Sequence, residues 1–432
     1  MTVSTGTPAP LEQVRVGLGG PLRVALLYGR DDDSRAAVAR IALAAGAEVG
    51  AVMPADDPRS FVEQAQTLRD ASPDVVLVRP KDAKDAGPLS ALLEAVRLGC
   101  GTQRPAPRIF AIAEPRVAER VRAATQPFDF ETFADAVDAV RALRDHRRRA
   151  SGDFGLRDEL IEDAARALAA STNADALAVD VSERSTSLVL ARADGTLEAA
   201  HLVPLGLGEA ADHVVARAGL DRVRRWLPAA IDAPALLERV FNRARWPGAL
   251  PATGAALLLE MALAREAIAH ALRDAQYADL DVAAMRAARS ILVTGRAASF
   301  PRPGQSLLVL VDGLEPTAVS TVYREPDDGR AARLALVVSL LPRRRTATLR
   351  LVHAGGRQET RVAPGSFSLV AVSGEVEVTA AGPTMRGNGQ AGALGVLIDA
   401  RGRPLRLPER DGERIPVLTS WHATARASPG RS

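Results

Sequence analysis

Short apolar runs alternate with amphipathic stretches from Leu22 to about residue 150. Runs at 22–28, 48–53, 74–78 and 109–113 read as strands; 34–45, 60–69, 89–98, 115–124 and 133–144 read as helices. Val38, Ile41, Ala42 and Ala45 fall on one helical face, as do Phe133, Val137, Val140 and Leu143. Pro115 suits a first helical position, where its missing N–H leaves no bond unmade. Apolar strands that alternate with helices predict a doubly wound α/β domain, its parallel sheet covered on both faces. This domain spans 21–150 and closes in the charged segment RRRASGDFG, while residues 1–20 read as a flexible tail.

A second α/β module is predicted over 155–304. It opens with a helix at 157–168 and strands at 176–181 and 187–192, the latter joined to a third strand by Ala193-Asp194-Gly195-Thr196. Residues 208–292 carry a helical pattern broken by Pro228, Pro234, Pro247 and Pro251, and 291–294 returns to a strand ending at Gly295. Beyond 305 the pattern changes to β runs at 335–341, 346–353, 359–362, 368–372 and 375–380. Their spacing predicts a small β-sandwich or barrel over 305–421, with 422–432 a disordered tail.

Composition narrows the class. Hydrophobic residues make up 47% of 432, yet no apolar run approaches the ~20 residues of a membrane-spanning helix. The first residues lack the basic start and apolar core of a secretory signal. One cysteine, Cys100, excludes an internal disulfide or a thiolate metal cage, and the six histidines show no metal-ligand spacing. A cytoplasmic protein without a metal is expected. The formal net charge is only +3, and every basic residue except Lys81 and Lys84 is arginine. These arginines are dispersed and aromatics are 3%, which argues against a basic stripe with stacking platforms for nucleic acid.

The segments RVALLYGRDDDSR, PDVVLV and ATQPFDFETFADAVDAVRAL resemble the first strand, third strand and closing stretch of a two-component receiver domain. That resemblance implies a flavodoxin-like fold with an acceptor carboxylate, an acidic pair for Mg²⁺, a hydroxyl and a lysine around one pocket. Here the acceptor position is Arg79, and the acidic pair falls on Arg30 and Asp31. The hydroxyl position falls near Ile112 or Ala113, and the lysine position on Gln126. An arginine cannot accept the phosphoryl group and its charge opposes the metal, so a pseudo-receiver is expected. A doubly wound domain without that ancestry is the alternative.

The stretches ALAVDVSERSTSLVL, GLDRVRRWLPAAIDAPALLERVFNRARWPGALPATGAALLLEMALAREAIAHAL, ILVTGRAASFPRPGQSLLVLVDGLEPTAVSTV and GALGVLIDARGRPLRLP resemble the glutamate mutase L family. Its members are accessory proteins related to the actin-like, sugar-kinase and Hsp70 ATPases, and the likeness covers about 155–410. It implies a phosphate turn Asp-x-Gly-Gly-x-Thr-Thr-Asp and a Gly-Gly turn for the nucleoside. Asp180 keeps the first place, Ser182 and Glu183 replace both glycines, and Ser187 replaces the last Asp. Only Gly295 remains of the second turn. Glu183 would set a carboxylate against the phosphates. Asp180, Ser182, Glu183 and Gly295 are therefore positions of a degenerate nucleotide site, with no catalytic residues and no bound ATP or Mg²⁺ expected.

Asp31-Asp32-Asp33 reads as a metal cluster or as the anionic start of a helix. Arg343-Arg344-Arg345 reads as a nucleic-acid contact or a solvated turn. Gly387, Gly389, Gly392 and Gly395 lack the following helix of a phosphate cradle. Trp226 and Trp246 are expected in the core or at subdomain contacts, and Cys100 as a free structural thiol. Two domains that lose their reactive groups but keep their apolar strands predict a non-catalytic interaction, scaffold or assembly-regulatory protein. Its partner would be a protein, or a second copy docked through 115–124, 133–144 and the residues Phe128, Phe130 and Phe133. An ATP-dependent reactivating chaperone of a cobalamin-dependent mutase, implied by the resemblance, and a nucleic-acid-associated regulator are the alternatives.

Overall fold

The computed structural model describes residues 22–151, 157–325, 331–340, 346–380 and 386–427. The expected tail at 1–20 and the arginines 343–345 lie outside them.

The first five strands are β1 (Arg23–Tyr28), β2 (Glu48–Pro54), β3 (Val75–Arg79), β4 (Arg108–Ile112) and β5 (Phe130–Phe133). They form one parallel sheet in the order β2-β1-β3-β4-β5. The helices between and after them are α1 (Asp32–Ala44), α2 (Phe61–Ala71), α3 (Ala86–Cys100), α4 (Pro115–Arg122) and α5 (Ala136–Ser151). Alternation along β1 sends Val24, Leu26 and Tyr28 to the side of α1 and α5, and Ala25 and Leu27 to the side of α2 and α3. Both faces are covered, and the strand order is that of a doubly wound, flavodoxin-like sheet.

One boundary differs from expectation. Phe133 ends β5 rather than opening a helix, and α5 starts at Ala136. Phe133 packs edge-on against Phe110 with ring centroids 5.0 Å apart. That contact, with pairing along β4, holds a short segment extended that by local pattern could have joined the helix. Phe128 is also buried, and Phe130 lies half-buried beneath the Arg122 guanidinium.

The chain continues through α6 (Arg157–Thr172), β6 (Ala176–Val181), β7 (Thr186–Ala191), β8 (Leu197–Leu202), α7 (Ala211–Ala218) and α8 (Leu220–Arg224). Next come α9 (Ala233–Arg245), α10 (Gly254–Tyr277), α11 (Val282–Ala287), β9 (Ser290–Thr294), α12 (Gly295–Ala298) and α13 (Pro303–Leu314). The strands β10 (Ser320–Arg324), β11 (Ala332–Ser339), β12 (Ala347–His353) and β13 (Gly356–Val362) follow. The last elements are β14 (Phe367–Val370), β15 (Gly374–Ala380), β16 (Arg386–Ala391), β17 (Val396–Asp399) and α14 (Asp411–Ala427).

Eight of these strands share one mixed sheet, ordered β14-β17-β11-β10-β9-β6-β7-β8. The strands β6, β7 and β8 are an antiparallel meander, and β9 and β10 run parallel to β6. Alternate residues of β6 face α10 (Leu177, Val179, Val181) and α6 (Ala176, Ala178).

The sheet runs through the boundary expected at 304, because β10, β11, β14 and β17 pair into it. Buried Val/Leu/Ile runs extend an open sheet as readily as they close a barrel. The other four strands form a separate antiparallel sheet, β13-β12-β15-β16. It packs on the β11–β17 end through Leu336, Val338, Leu349, Leu351 and Val376. Gly387 and Gly389 lie on β16, where an added Cβ would strike Val319 and Leu336.

The helix α14 also departs from expectation, continuing past 422 with His422 and Ala425 buried. Beneath it lies an ionic cluster. Arg265 pairs with Asp312 at 2.6 Å, and Arg401 with Asp312 at 2.7 Å and Asp399 at 2.8 Å. The Arg401 guanidinium also lies 4.4 Å from the Trp421 ring centroid. Each buried charge thus has an opposite neighbour. Among the described residues no helix is long and apolar enough to cross a membrane.

Candidate functional site

Asp180 is the next-to-last residue of β6 and shares the α6-facing parity of Ala176 and Ala178. Arg157 opens α6 directly over it. The guanidinium donates from Nε at 3.1 Å and from Nη2 at 2.6 Å, one bond to each carboxylate oxygen. Thr294, which ends β9, donates its hydroxyl to Oδ1 at 2.7 Å. Asp180 is wholly buried, and its negative charge raises the Arg157 pKa against the cost of desolvation. The carboxylate thus accepts three hydrogen bonds from protein side chains.

Gly295 closes over the same group. Its φ is +69°, and an added Cβ would sit 2.6 Å from Asp180 Oδ1 and 2.7 Å from the Val181 carbonyl. The conformation suits glycine, and the space above it is filled.

The β6–β7 turn is closed on itself. Ser182 Oγ accepts from the amides of Arg184 at 3.3 Å and Ser185 at 3.0 Å, and the Ser182 amide donates to the Ser185 carbonyl at 2.8 Å. A phosphate-binding turn would aim such amides outward. The carbonyls of Ser182, Glu183 and Arg184 accept from the amides of Leu207, Gly208 and Leu205 at 2.8–3.0 Å. This close approach requires Gly206, whose added Cβ would lie 2.6 Å from the Glu183 carbonyl. Arg296 Nη1 lies 3.5 Å from Glu183, and Arg296 Nη2 lies 3.0 Å from Glu260. Arg243 joins the group, 3.0 Å from Glu260 and donating to the Leu207 carbonyl at 2.7 Å. The structure therefore brings Asp180, Ser182, Glu183 and Gly295 together, and fills the space between them with side chains and backbone.

The second predicted cluster sits at the ends of β1 and β3. Asp31 caps α1: its oxygens accept from the Ser34 amide at 3.0 Å and hydroxyl at 2.8 Å. Against a desolvation cost, these bonds and Lys81 hold the Asp31 carboxyl below its usual range. Lys81 Nζ lies 3.8 Å from Asp31, a tethered cation beside the carboxylate. Asp85 is buried and accepts from the Lys81 amide at 3.0 Å, fixing that loop. Arg30 is exposed, Arg79 ends β3 half-buried, and Gln126 is an exposed turn residue. No three metal-ligating side chains cluster among the described residues. Asp32 and Asp33 lie in the first turn of α1, the helix-start reading of that acidic run. Cys100 is buried under α2, and desolvation pushes its thiol up to about 11, away from reactivity.

A third cluster escaped the sequence reading. The arginines near the end of α5 pair with the acids opening α6: Arg144 with Glu162, Arg147 with Asp158 and Arg148 with Glu159. His201 on β8 completes it, with Nε2 3.2 Å from Glu162 and Nδ1 2.9 Å from Ser187 Oγ. Burial works to raise the Glu162 pKa, yet His201 and Arg144 bring it down to about 2. His201 and Ser187 are completely buried, so this serine–histidine–glutamate chain has no access for a substrate, while the arginine–acid pairs clamp α5 to α6. The DELIED stretch and the arginines at 144, 147 and 148 were its only sequence signal. Trp246, expected in the core or at a subdomain contact, is 63% exposed, whereas Trp226 is buried and donates to Glu266 at 2.8 Å.

No protein-family model matches the chain, and a search of curated proteins returns no match.

Proposed function

We propose that the chain is a non-catalytic cytoplasmic scaffold or assembly regulator, built from a pseudo-receiver and a degenerate actin-like module, and that it acts on a protein partner. One observation carries this reading: both oxygens of Asp180 are bound by Arg157, where an ATPase needs that carboxylate free for metal-bound water. The self-closed turn at Ser182–Ser185 supports it. The 2-1-3-4-5 strand order with Arg79 at the acceptor place supports the pseudo-receiver. The meander β6–β8 with parallel β9 and β10 supports the actin-like part.

The test is complementation of a deletion in the native host by Arg157→Gln combined with Asp180→Asn. This pair keeps the hydrogen-bonded shape and removes the charge. A shape-only role predicts full complementation. Loss of function in a variant that folds normally would sink the reading.

A further inference from the structure

Where the first domain meets the second, α1 packs on β8 and the two apolar cores merge. They do not fill the junction. A half-open cavity of about 220 Å³ remains between β1, α1 and β2 on one side and β8, α7 and α10 on the other. Its wall is mostly aliphatic, formed by residues such as Leu26, Leu43, Val52, Leu202 and Val203, with Tyr277 beside them. A register shift between β1 and β2 leaves Gly50 without a partner. Through that bulge Val49 and Val52, of opposite parity in a regular strand, both line the cavity. Close-packed interiors rarely leave a void of this size between well-fitted elements.

The mouth is polar, and two further arginines lie behind it. Arg217 and Asp274 pair there at 2.6 Å, each side chain 36% exposed. Only Nη1 of Arg217 bonds a carboxylate, which leaves Nε and Nη2 for a second acceptor. Burial raises the Asp274 pKa in spite of Arg217. Behind the mouth, Arg222 and Arg273 have no carboxylate within ion-pair distance among the described residues, and Arg273 Nη2 is buried without a partner. Burial and the three guanidiniums together lower the neighbouring His270 to about 4, so it stays neutral. On the α1 side, Arg35 and Arg40 are matched by Asp32 and Asp279. The cations without an ion pair are therefore Arg222 and Arg273, among the described residues.

We propose that this junction cavity binds an amphipathic carboxylate, its aliphatic body between the two domains and its head on Arg217. A cavity of about 150 Å³ takes benzene, so this one suits a body of about eight carbons. Such a ligand touches both domains at once and favours their docked arrangement.

The full-length protein is titrated by calorimetry with sodium octanoate, and in parallel with octanol and octylamine. Saturable binding of one octanoate per chain is expected, with octanol weaker and octylamine silent. Arg217→Gln should weaken octanoate about tenfold or more, since it removes a charge-assisted bond. Arg217→Lys should restore most of the affinity. Val52→Trp, which fills the cavity, should abolish binding, and melting curves confirm that each variant is folded. Absence of saturable binding to the wild type overturns the proposal, as does octanoate affinity unchanged by either Arg217→Gln or Val52→Trp in the folded protein.

Discussion

Arg157 and Asp180 form a two-pronged ion pair, Nε and Nη2 each meeting one carboxylate oxygen. The pair joins the first residue of α6 to the end of β6. It is the point at which the chain's candidate chemistry becomes part of its framework.

Removing one partner should therefore hurt more than removing both charges. Arg157→Ala leaves a buried carboxylate with Thr294 as its remaining side-chain donor, and should cost about 3 kcal/mol or more in urea unfolding. Arg157→Gln with Asp180→Asn should recover most of that loss. A single variant as stable as the wild type would show that the pair carries no such role.

The α5–α6 ion pairs join the last helix of the first domain to the first helix of the second. Reversing Arg144 and Arg147 to Glu should set like charges against Glu162 and Asp158. Hydrogen exchange of the α1 and β8 amides should then quicken, and the radius of gyration should rise. Unchanged exchange at α1 and β8 would mean that apolar packing alone docks the domains.

Acid should weaken the fold in two stages. His270 and His422 are lowered by burial to about 4 and about 3, so each favours the folded state fully above the ordinary histidine value. That contribution is lost as pH falls from about 6.5 toward those values, because the unfolded chain takes up the protons first. Below about pH 4.5 the Glu162 and Asp399 contributions follow, both groups being lowered to about 2. Asp274, raised by burial, acts in the opposite sense and offsets part of the second stage. Thermal melting from pH 8 to 3 should show a decline that begins near pH 6.5. A flat profile down to pH 4.5 would contradict the burial of the two histidines.

Lys81 lies 3.8 Å from Asp31 and Arg79 ends β3, where the proposed pseudo-receiver would need a phosphate acceptor and its metal. Acetyl phosphate or beryllofluoride with Mg²⁺ should leave the intact mass and the spectrum of the first domain unchanged. A stoichiometric phospho-adduct would overturn the pseudo-receiver reading.

The alternation of apolar strands and amphipathic helices made most of the first sheet legible, because period alone distinguishes those elements. The strand β5 was hidden, since four residues beside a helix carry too little period and its conformation depends on Phe110. The pairing of β10, β11, β14 and β17 with the preceding strands was not legible either. An apolar run does not say which sheet edge it joins. Pro416 and the many small residues of α14 masked a helix whose burial comes from distant partners. At the site, departures from the resembled motifs were readable at Arg79, Ser182 and Glu183. What surrounds those positions was not: Arg157, Glu260 and His201 act across sequence separations that no local motif records.

The central claim is that the middle module keeps its shape without using ATP, and calorimetry of the full-length protein with Mg-ATP tests it most directly. The account predicts no binding tighter than about millimolar, or roughly −4 kcal/mol. A micromolar dissociation constant that disappears in Asp180→Ala would contradict it.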